Sequence, residues 1–398
     1  MSERKAHWSI EPETLFLNHG SFGACPRVVQ ETQASLRARM ERNPVRFLAR
    51  ELEAELDHTR ALIAPRFGAN AEDLAFVRNA SEGVNTVLRS LTFAPGDELL
   101  TTDHAYNACK NALDFVASRS GAKVVVAKIP FAIDDPSQAE DAVLAAVTPR
   151  TRLALLDWVT SPTALVLPIE RLVSALSELG VDSLIDGAHA PGMIPLSLDL
   201  LGAAYFTGNA HKWLCAPKGA ALLHVRRDRQ HLIRPLVISH GANDPRSHRS
   251  RFRLEHDWCG TFDPTAVLTI PRAIAFLESL CPDKMQGVMD HNQALALQAR
   301  AVLCERLGLA ECAPPSMIGS MATVILPPRK GARISEGPLP LDPLHEELAR
   351  ESNIEVPVFV FGEQNHRCLR VSAQWYNSLD EYHKLAEVLA TKLDVRNA

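Results

Sequence analysis

Short apolar runs alternate with amphipathic stretches between about residues 60 and 225, and this alternation limits the possible folds more than any other feature of the sequence. Most of the apolar runs are continuous, as expected of strands that are buried on both faces of a sheet. The stretches between them, such as 81–91 and 169–179, repeat their apolar residues at helical spacing. The pattern predicts an α/β domain in which helices flank a mostly parallel central sheet. The predicted strands are 73–77, 98–102, 123–128, 151–159, 181–185, 203–207 and 219–225.

The pattern changes after residue 264, where two long helices are predicted at 264–280 and 284–309. Three further strands and a last helix follow them, predicted at 319–326, 354–361, 368–372 and 379–393. This grouping indicates a smaller α+β domain at the C-terminus. The Pro- and Gly-rich stretch 327–341 is predicted to be an exposed loop. We therefore expect an N-terminal segment (1–30) that packs near the active site and the small domain, a large domain (31–263) and a small domain (264–398).

The composition of the 398-residue chain narrows its partners and its compartment. A net charge of −5 argues against a surface for nucleic acid. The eight cysteines include no C-x-x-C pair, so no metal site is predicted, and scattered thiols are typical of a reducing compartment. No signal-peptide pattern is visible, and no apolar run approaches the ~18 residues of a membrane span. We expect a cytoplasmic protein that binds neither nucleic acid nor membrane.

Two polar motifs follow predicted strands, at the edge where open α/β sheets bind ligands. Asp186 directly follows an apolar run and precedes Gly187, and Lys212 comes just after the next predicted strand. Taken alone, Asp186 is more typical of a turn and Lys212 of a solvated surface. Together they match the needs of pyridoxal 5′-phosphate (PLP). A lysine forms a Schiff base with this cofactor and moves the Cα proton, and a buried carboxylate keeps its pyridine nitrogen protonated.

The phosphate of such a cofactor needs an anion site, and segment 78–85 is a candidate. This segment follows the predicted strand 73–77 and begins a helix, whose free N–H groups and dipole attract an anion. The Ser81 hydroxyl adds a donor there, although a serine at this position is also an ordinary helix cap.

The chain resembles the class V aminotransferase family of fold-type I PLP-dependent enzymes. Within that family it resembles the isopenicillin-N-epimerase-like branch, which is related to cysteine desulfurases. The resemblance extends from residues 17–26 (LNHGSFGACP), through the motifs above, to residues 369–377 (LRVSAQWYN). It implies a fold-type I transferase fold and a homodimer with the active site at the subunit interface. It also implies an enzyme that removes the Cα proton of an amino-acid substrate.

The resemblance implies roles for individual residues at the cofactor. Lys212 matches the Schiff-base lysine, Asp186 the partner of the pyridine nitrogen, and His189 the residue that hydrogen-bonds the 3′-oxygen. His104 matches the aromatic residue that stacks on the cofactor ring, and Tyr106 is the alternative; either could serve as a second acid. Ala80 (backbone), Ser81 and His211 match positions around the phosphate, and Asn209 is a further cofactor-binding position. Thr261 matches a residue that reaches the phosphate from the neighbouring subunit.

Further residues are implied at the substrate. Arg370 matches the arginine that holds the substrate α-carboxylate, a task that suits the two parallel hydrogen bonds of a guanidinium. From its position alone, Arg370 could equally be a strand-edge residue in an ion pair. Asn18, His19 and Ser21 lie in a segment that lines the substrate pocket in relatives. Arg46 is expected to do likewise, across the dimer.

The sequence leaves the reaction open. Epimerisation at Cα, β-elimination with C–S cleavage and transamination all begin when Lys212 removes the Cα proton. We expect an epimerase or a C–S lyase, with an aminotransferase as the alternative. A desulfurase is disfavoured because residues 354–367 lack the nucleophilic cysteine of that group and Cys368 lies on a predicted strand. A PLP-fold binding protein without catalysis is disfavoured because Lys212, Asp186 and Arg370 are all present.

Overall fold

A seven-stranded mixed sheet lies at the centre of the computed structural model, which describes residues 4–328 and 341–394. The order of its strands is β1-β7-β6-β5-β4-β2-β3. Neighbours from β6 to β3 are parallel, and β7 runs antiparallel to β1 and β6. The predicted mostly parallel central sheet is confirmed. The strands are β1 (Leu74–Val77), β2 (Glu98–Thr102), β3 (Lys123–Ala127), β4 (Thr151–Asp157), β5 (Asp182–Asp186), β6 (Tyr205–Asn209) and β7 (Ala221–Val225).

Helices cover both faces of this sheet, which explains why its strands are continuous apolar runs. Along β4, Leu153 and Leu155 belong to one buried cluster, and Ala154 and Leu156 belong to another. Alternate side chains of a strand point to opposite faces, so neither face meets water here. The longer helices are α1 (Arg27–Arg42), α2 (Leu52–Ile63), α3 (Ala80–Ser90), α4 (Asn107–Ser120), α5 (Pro136–Ala145), α6 (Ile169–Glu178), α7 (Arg251–His256), α8 (Ile270–Glu278), α9 (Lys284–Leu307), α10 (Pro343–Ser352) and α11 (Leu379–Lys392).

The C-terminal part contains a smaller antiparallel sheet in the order β9-β10-β8. Its strands are β8 (Met321–Ile325), β9 (Val358–Phe361) and β10 (His366–Ser372). The N-terminal segment joins this part through Leu15–Phe16, which pairs in parallel with Ile354–Glu355. The two ends of the chain therefore meet. The stretch 327–341, predicted as a loop, lies almost entirely outside the described residues.

Two predicted elements are interrupted at prolines. The predicted helix 264–280 is broken before α8, and Pro271 lies in the first turn of that helix. The predicted strand 354–361 is broken before β9 by Pro357. Proline lacks the N–H group that would continue either hydrogen-bond pattern, so each break has a local cause.

The carboxyl ends of β4, β5 and β6 meet at one edge of the central sheet. Asp186, at the end of β5, is the register partner of Asp157 at the end of β4. Lys212 lies on the connection between β6 and β7, at the same edge as Asp186, as predicted. The N-terminal segment closes on this connection: Gly23 has a φ of +72°, and a β-carbon there would collide with the His211 carbonyl. Distant parts of the sequence thus converge at this edge.

The eight cysteines are free thiols, and five of them are buried. None of the helices in the described ranges has the length and apolar composition of a membrane span. The fold is therefore stabilised by packing and polar contacts rather than by covalent cross-links.

A buried cluster of charged residues joins α2 to α7. Asp257, directly after α7, contacts the guanidinium groups of Arg60, Arg249 and Arg253. Arg60 and Arg253 are 0% and 2% exposed, so water solvates neither charge. Asp57 contacts the same arginines from the more exposed side. Asp257 therefore compensates positive charge that solvent cannot reach.

We expect Asp257→Asn to lower the free energy of unfolding by about 3–5 kcal/mol, because it removes the buried one of the two acids that these arginines share. The control is Glu140→Gln, which removes a partly exposed ion pair with Arg171 (3.0 Å) and should change stability by less than about 1 kcal/mol. Urea unfolding followed by circular dichroism measures both. Equal effects in the two variants would show that the buried cluster is not a source of stability.

Candidate active site

A cavity of about 340 Å³ opens at the carboxyl edge of the central sheet. Most of the predicted cofactor residues line it, together with one residue of the predicted substrate group. They are Ser21, Ala80, Ser81, Tyr106, Asp186, His189, Asn209, His211 and Lys212. A larger groove of about 500 Å³ beside α6 is lined by Glu170, Glu178 and several small and apolar side chains. Buried titratable side chains such as Asp186 and His189 line the first cavity and not this groove. We therefore place the candidate site in the first cavity.

Lys212 is held at the wall of this cavity by two histidines. Its Nζ lies 3.0 Å from Nε2 of His189, and its carbonyl oxygen accepts a hydrogen bond from Nε2 of His19 at 3.0 Å. Burial lowers the pKa of Lys212 to about 8, and the charge of Arg370 adds to this effect. A substantial share of the amine is therefore neutral near pH 8, and the neutral amine is the form that attacks a carbonyl carbon.

Two carboxyl groups lie side by side near the lysine. Asp186 accepts hydrogen bonds from the Cys109 thiol (3.0 Å) and the Ala188 N–H (2.9 Å). Asp157 accepts one from the Tyr106 N–H (3.2 Å), and its buried Oδ1 has no hydrogen-bond partner among the described residues. Burial raises the pKa of both groups, and the charge of Asp186 raises the pKa of Asp157 further. The larger shift falls on Asp157, so Asp186 is the member of the pair that ionises more readily.

His189 is enclosed between Lys212 and Trp213. The Trp213 indole N–H donates to Nδ1 of His189 at 3.2 Å, while Nε2 faces Lys212. His189 is 1% exposed, and burial together with the nearby lysine holds its pKa well below the ordinary value. The imidazole is therefore neutral.

The first turn of α3 forms another wall of the cavity. The Ala80 N–H donates to Oδ1 of Asn209 at 2.8 Å, so this backbone donor is already engaged. His211 donates from Nδ1 to the Ala220 carbonyl at 3.0 Å, and burial lowers its pKa to about 4. Among the residues that the structure describes, no hydrogen bond engages the Ser81 hydroxyl, the amide nitrogen of Asn209 or Nε2 of His211. These three groups remain able to bind an anion.

Arg370, on β10, is buried beside the cavity without an acidic partner. One terminal nitrogen donates to the carbonyl and hydroxyl oxygens of Ser161, and the other donates to Ser21 Oγ (3.0 Å) and Asn18 Oδ1 (3.5 Å). Its Nε has no partner, and within residues 4–328 and 341–394 no carboxylate forms an ion pair with it. Burial lowers the pKa of Arg370 to about 10. An anionic ligand would supply the missing charge.

The structure separates the two candidates for the stacking role. Tyr106 lines the cavity, and burial and its acidic neighbours raise the pKa of its phenol. His104 is fully buried behind the cavity wall, where its ring nitrogens contact Thr163 Oγ1 (2.7 Å) and the Ile129 carbonyl (3.1 Å). Its ring packs edge-on against Phe361. In this structure Tyr106 lines the cavity and His104 does not.

The remaining predicted residues lie at varying distances from the cavity. His19 is buried behind Lys212, with Nδ1 2.8 Å from the Tyr376 hydroxyl, and burial lowers its pKa to about 3. Arg46 is half exposed and pairs with Glu51 at 3.1 Å. Thr261 is exposed and does not line the cavity. These three residues do not contact the cavity within this chain.

Asp157 and Trp213 are among the residues of the site that are absent from the sequence predictions. Asp157 falls inside the predicted strand 151–159, although it obeys the same rule as Asp186: an acid at the carboxyl end of a buried strand. That rule, applied at Asp157, would have found it. Trp213 directly follows Lys212, and no sequence signal indicates that its indole turns towards His189.

Comparison with known proteins places this arrangement in a family. The model of the family Aminotransferase class-V matches residues 14–324. An isopenicillin N epimerase of Amycolatopsis lactamdurans is 34% identical over 96% of this chain and 96% of its own length. A putative L-cysteine desulfhydrase 1 of Oryza sativa subsp. japonica is 29% identical over 94% of this chain and 82% of its own length.

Solved structures show the same fold. A mutant of C-DES with glycine covalently linked to its PLP cofactor has a TM-score of 0.79 and 17% identity, over 98% of this chain and 99% of that chain. The cystine C–S lyase C-DES in complex with cysteine persulfide has a TM-score of 0.78 and 18% identity, over 95% of this chain and 98% of that chain. The predicted fold-type I architecture is confirmed. The chain belongs to the class V aminotransferase family, and its cofactor is pyridoxal 5′-phosphate.

Proposed function

We propose that the protein is a PLP-dependent epimerase that inverts the Cα configuration of an amino acid with a free α-carboxylate. One observation carries this proposal: a base and an acid border the same cavity. Burial lowers the pKa of Lys212 to about 8, whereas burial and nearby acidic groups raise the pKa of Tyr106. Near neutral pH, the lysine can therefore accept a proton and the phenol can supply one. Epimerisation needs both groups.

Five side chains fit the cofactor. Lys212 would bind PLP covalently, Asp186 would bind the pyridine nitrogen, and His189 would donate to the oxygen at ring position 3. Ser81 and His211 would bind the phosphate at the first turn of α3. When bound, PLP withdraws electrons from Cα and so acidifies the Cα–H bond. Asp186 suits its place because it ionises more readily than the neighbouring Asp157.

Arg370 is the proposed partner of the substrate α-carboxylate. A buried cation without a counter-charge is destabilising, and a bound carboxylate would compensate it while accepting two parallel hydrogen bonds. Ser161 and Ser21 already hold the guanidinium in place. A clamped carboxylate fixes the direction of the Cα–H bond relative to Lys212.

The two proton transfers then fall to different residues. Lys212 removes the proton from one face of Cα, and Tyr106 returns a proton to the other face. After each turnover Lys212 must release the proton that it removed to water, and Tyr106, which is 38% exposed, must recover one from water. The His104 imidazole, buried behind the wall, takes no part.

β-Elimination from an S-substituted cysteine is the second candidate. It needs Lys212 and a leaving group at Cβ but no second acid, and a relative of this chain is named as a putative L-cysteine desulfhydrase. Transamination, which shares the first step, is the further alternative. A desulfurase is disfavoured because burial raises the pKa of the Cys368 thiol to about 12, so that no thiolate is available there.

We also propose a cytoplasmic homodimer with the cavity near its interface. Phe22, which lines the cavity, is 73% exposed, and Phe262, next to Thr261, is 39% exposed. Aromatic side chains left in water are typical of protein interfaces. In such a dimer, Thr261 and Arg46 would approach the partner's cavity. Eight free thiols agree with a reducing compartment.

We expect Lys212→Ala to fold but to lack the visible absorbance of PLP bound to lysine. In the unsubstituted protein, the rate of PLP uptake should rise with pH and reach half its maximum near pH 8, because the neutral amine reacts and its share grows above the pKa. Lys110→Ala, at an exposed residue paired with Asp114, is the control. Borohydride reduction and peptide mapping that placed the pyridoxyl group on another lysine would contradict the assignment.

We expect Tyr106→Phe to invert Cα at least about 100-fold more slowly, while Lys212 continues to exchange the Cα proton with D₂O. Chiral chromatography measures the inversion, and proton NMR measures the exchange of the Cα proton. Both methods are applied to the same samples, with both isomers of a panel of amino acids. Tyr205→Phe is the control, since its buried hydroxyl has no hydrogen-bond partner in the part of the chain that the structure describes and lies outside the cavity. Normal inversion in Tyr106→Phe would remove the proposed acid. Pyruvate release from S-substituted cysteines without inversion would favour the lyase.

We expect Arg370→Lys to raise KM at least about tenfold, since a charged hydrogen bond of about 1.5–3 kcal/mol is lost. It should also lower kcat, because one ammonium aligns the substrate less well than a guanidinium fork. PLP occupancy, measured in the same preparation, should not change. Arg46→Lys is the comparison variant. A normal KM in Arg370→Lys with a raised KM in Arg46→Lys would move the carboxylate site to Arg46.

A further inference from the structure

Trp213 is a fully buried side chain with a single polar atom. Its indole belongs to a small apolar cluster with Val159, Ala164, Met193 and Met321. The Nε1–H donates to Nδ1 of His189 at 3.2 Å. An indole nitrogen donates hydrogen bonds and does not accept them, so Nδ1 of His189 is the acceptor in this contact.

This contact fixes the position of the proton on His189. A ring nitrogen that accepts a hydrogen bond carries no proton, and the neutral ring then has its proton on Nε2. Nε2 lies 3.0 Å from Nζ of Lys212 and faces the cavity. In the other tautomer, the Nδ1–H group of His189 would face the Nε1–H group of Trp213. The buried indole donor would then have no acceptor. A free Lys212 ammonium group would oppose the Nε2–H group, but a neutral amine, or a lysine bound to the cofactor, does not. In those two states the other tautomer is disfavoured by about tenfold to a hundredfold. Protonation of both nitrogens would break the same contact.

We propose that Trp213 is a positioning residue that fixes His189 as the Nε2–H tautomer. His189 is then a permanent hydrogen-bond donor to the oxygen at ring position 3 of PLP and never a base in the reaction. This inference rests on the proposed placement of the cofactor on Lys212. It goes beyond that placement because it identifies Trp213 as the residue that fixes which nitrogen of His189 carries the proton. Trp213 itself touches neither cofactor nor substrate.

The first test is Trp213→Phe, which keeps an aromatic ring and removes the N–H. The His189 donor stabilises the anionic form of the oxygen at ring position 3. Weakening this donor should therefore move the pH midpoint of the visible absorbance of the holoenzyme upwards. A hydrogen bond of ordinary strength corresponds to about half a pH unit to one unit and to a roughly twofold to tenfold higher Kd for PLP. Trp158→Phe, a buried indole outside the cavity, should leave both values unchanged.

The second test repeats the substitution in a His189→Phe background. A phenylalanine ring has no nitrogen to protonate and accepts no conventional hydrogen bond from the indole, so Trp213→Phe should then shift nothing further. Two results would overturn the proposal. One is a Trp213→Phe holoenzyme that titrates as the unsubstituted protein does. The other is a shift of full size that persists in the His189→Phe background, since the indole would then act through packing alone.

The third test needs no substitution at Trp213. In protein labelled with ¹⁵N-histidine, the His189 resonances are identified by their loss in His189→Gln. In the holoenzyme, where Lys212 is bound to the cofactor and is not a free ammonium group, Nδ1 should be unprotonated and Nε2 protonated across the neutral pH range. A protonated or averaged Nδ1 in the holoenzyme would overturn the proposal. If Lys212 takes up no PLP, the proposed function fails, and a fixed Nε2–H tautomer above pH 8, where the free amine is neutral, would show that the role of Trp213 stands.

Discussion

The negative charge of Asp186 is the interaction on which the rest of the site depends. The Cys109 thiol and the Ala188 N–H stabilise it, whereas burial and the charge of Asp186 raise the pKa of the neighbouring Asp157. Lys212 and Arg370 face this single charge from the same buried region, so the positive charges outnumber the negative ones. A cavity with this balance favours ligands that bring anions. A cofactor phosphate and a substrate carboxylate are such ligands.

The histidines around Lys212 are kept neutral for the same reason. Burial lowers the pKa of His19 to about 3 and that of His211 to about 4, and it holds the pKa of His189 well below its ordinary value. None of the three changes its charge between pH 5 and 8, the range in which an unperturbed histidine titrates. The hydrogen-bond pattern behind the lysine is therefore constant over this range. The pH dependence of activity should come from Lys212 and Tyr106.

Much of the fold and part of the site could be predicted from the sequence. Continuous apolar runs indicate the parallel strands, because a strand that is buried on both faces has apolar residues at consecutive positions. The ends of these strands place Asp186 and Lys212 at one edge of the sheet. The direction of a loop side chain leaves no such trace. His104 and Tyr106 differ by two positions, yet packing against Phe361 turns only the first away from the cavity. The Trp213 contact depends equally on tertiary packing.

The pairing of the chain's two ends has a consequence for how the protein is made. Leu15–Phe16 pairs with Ile354–Glu355, and Ser21 binds a guanidinium that is 349 residues further along the chain. At a synthesis rate of about 5–20 residues per second, the first of these groups waits on the order of tens of seconds for its partner. The nascent chain therefore lacks Arg370, the proposed partner of the substrate carboxylate, for nearly the whole of translation. Until residues 354–370 have been synthesised, the N-terminal segment cannot take up its place beside the cavity, whatever the cofactor supply in the cell.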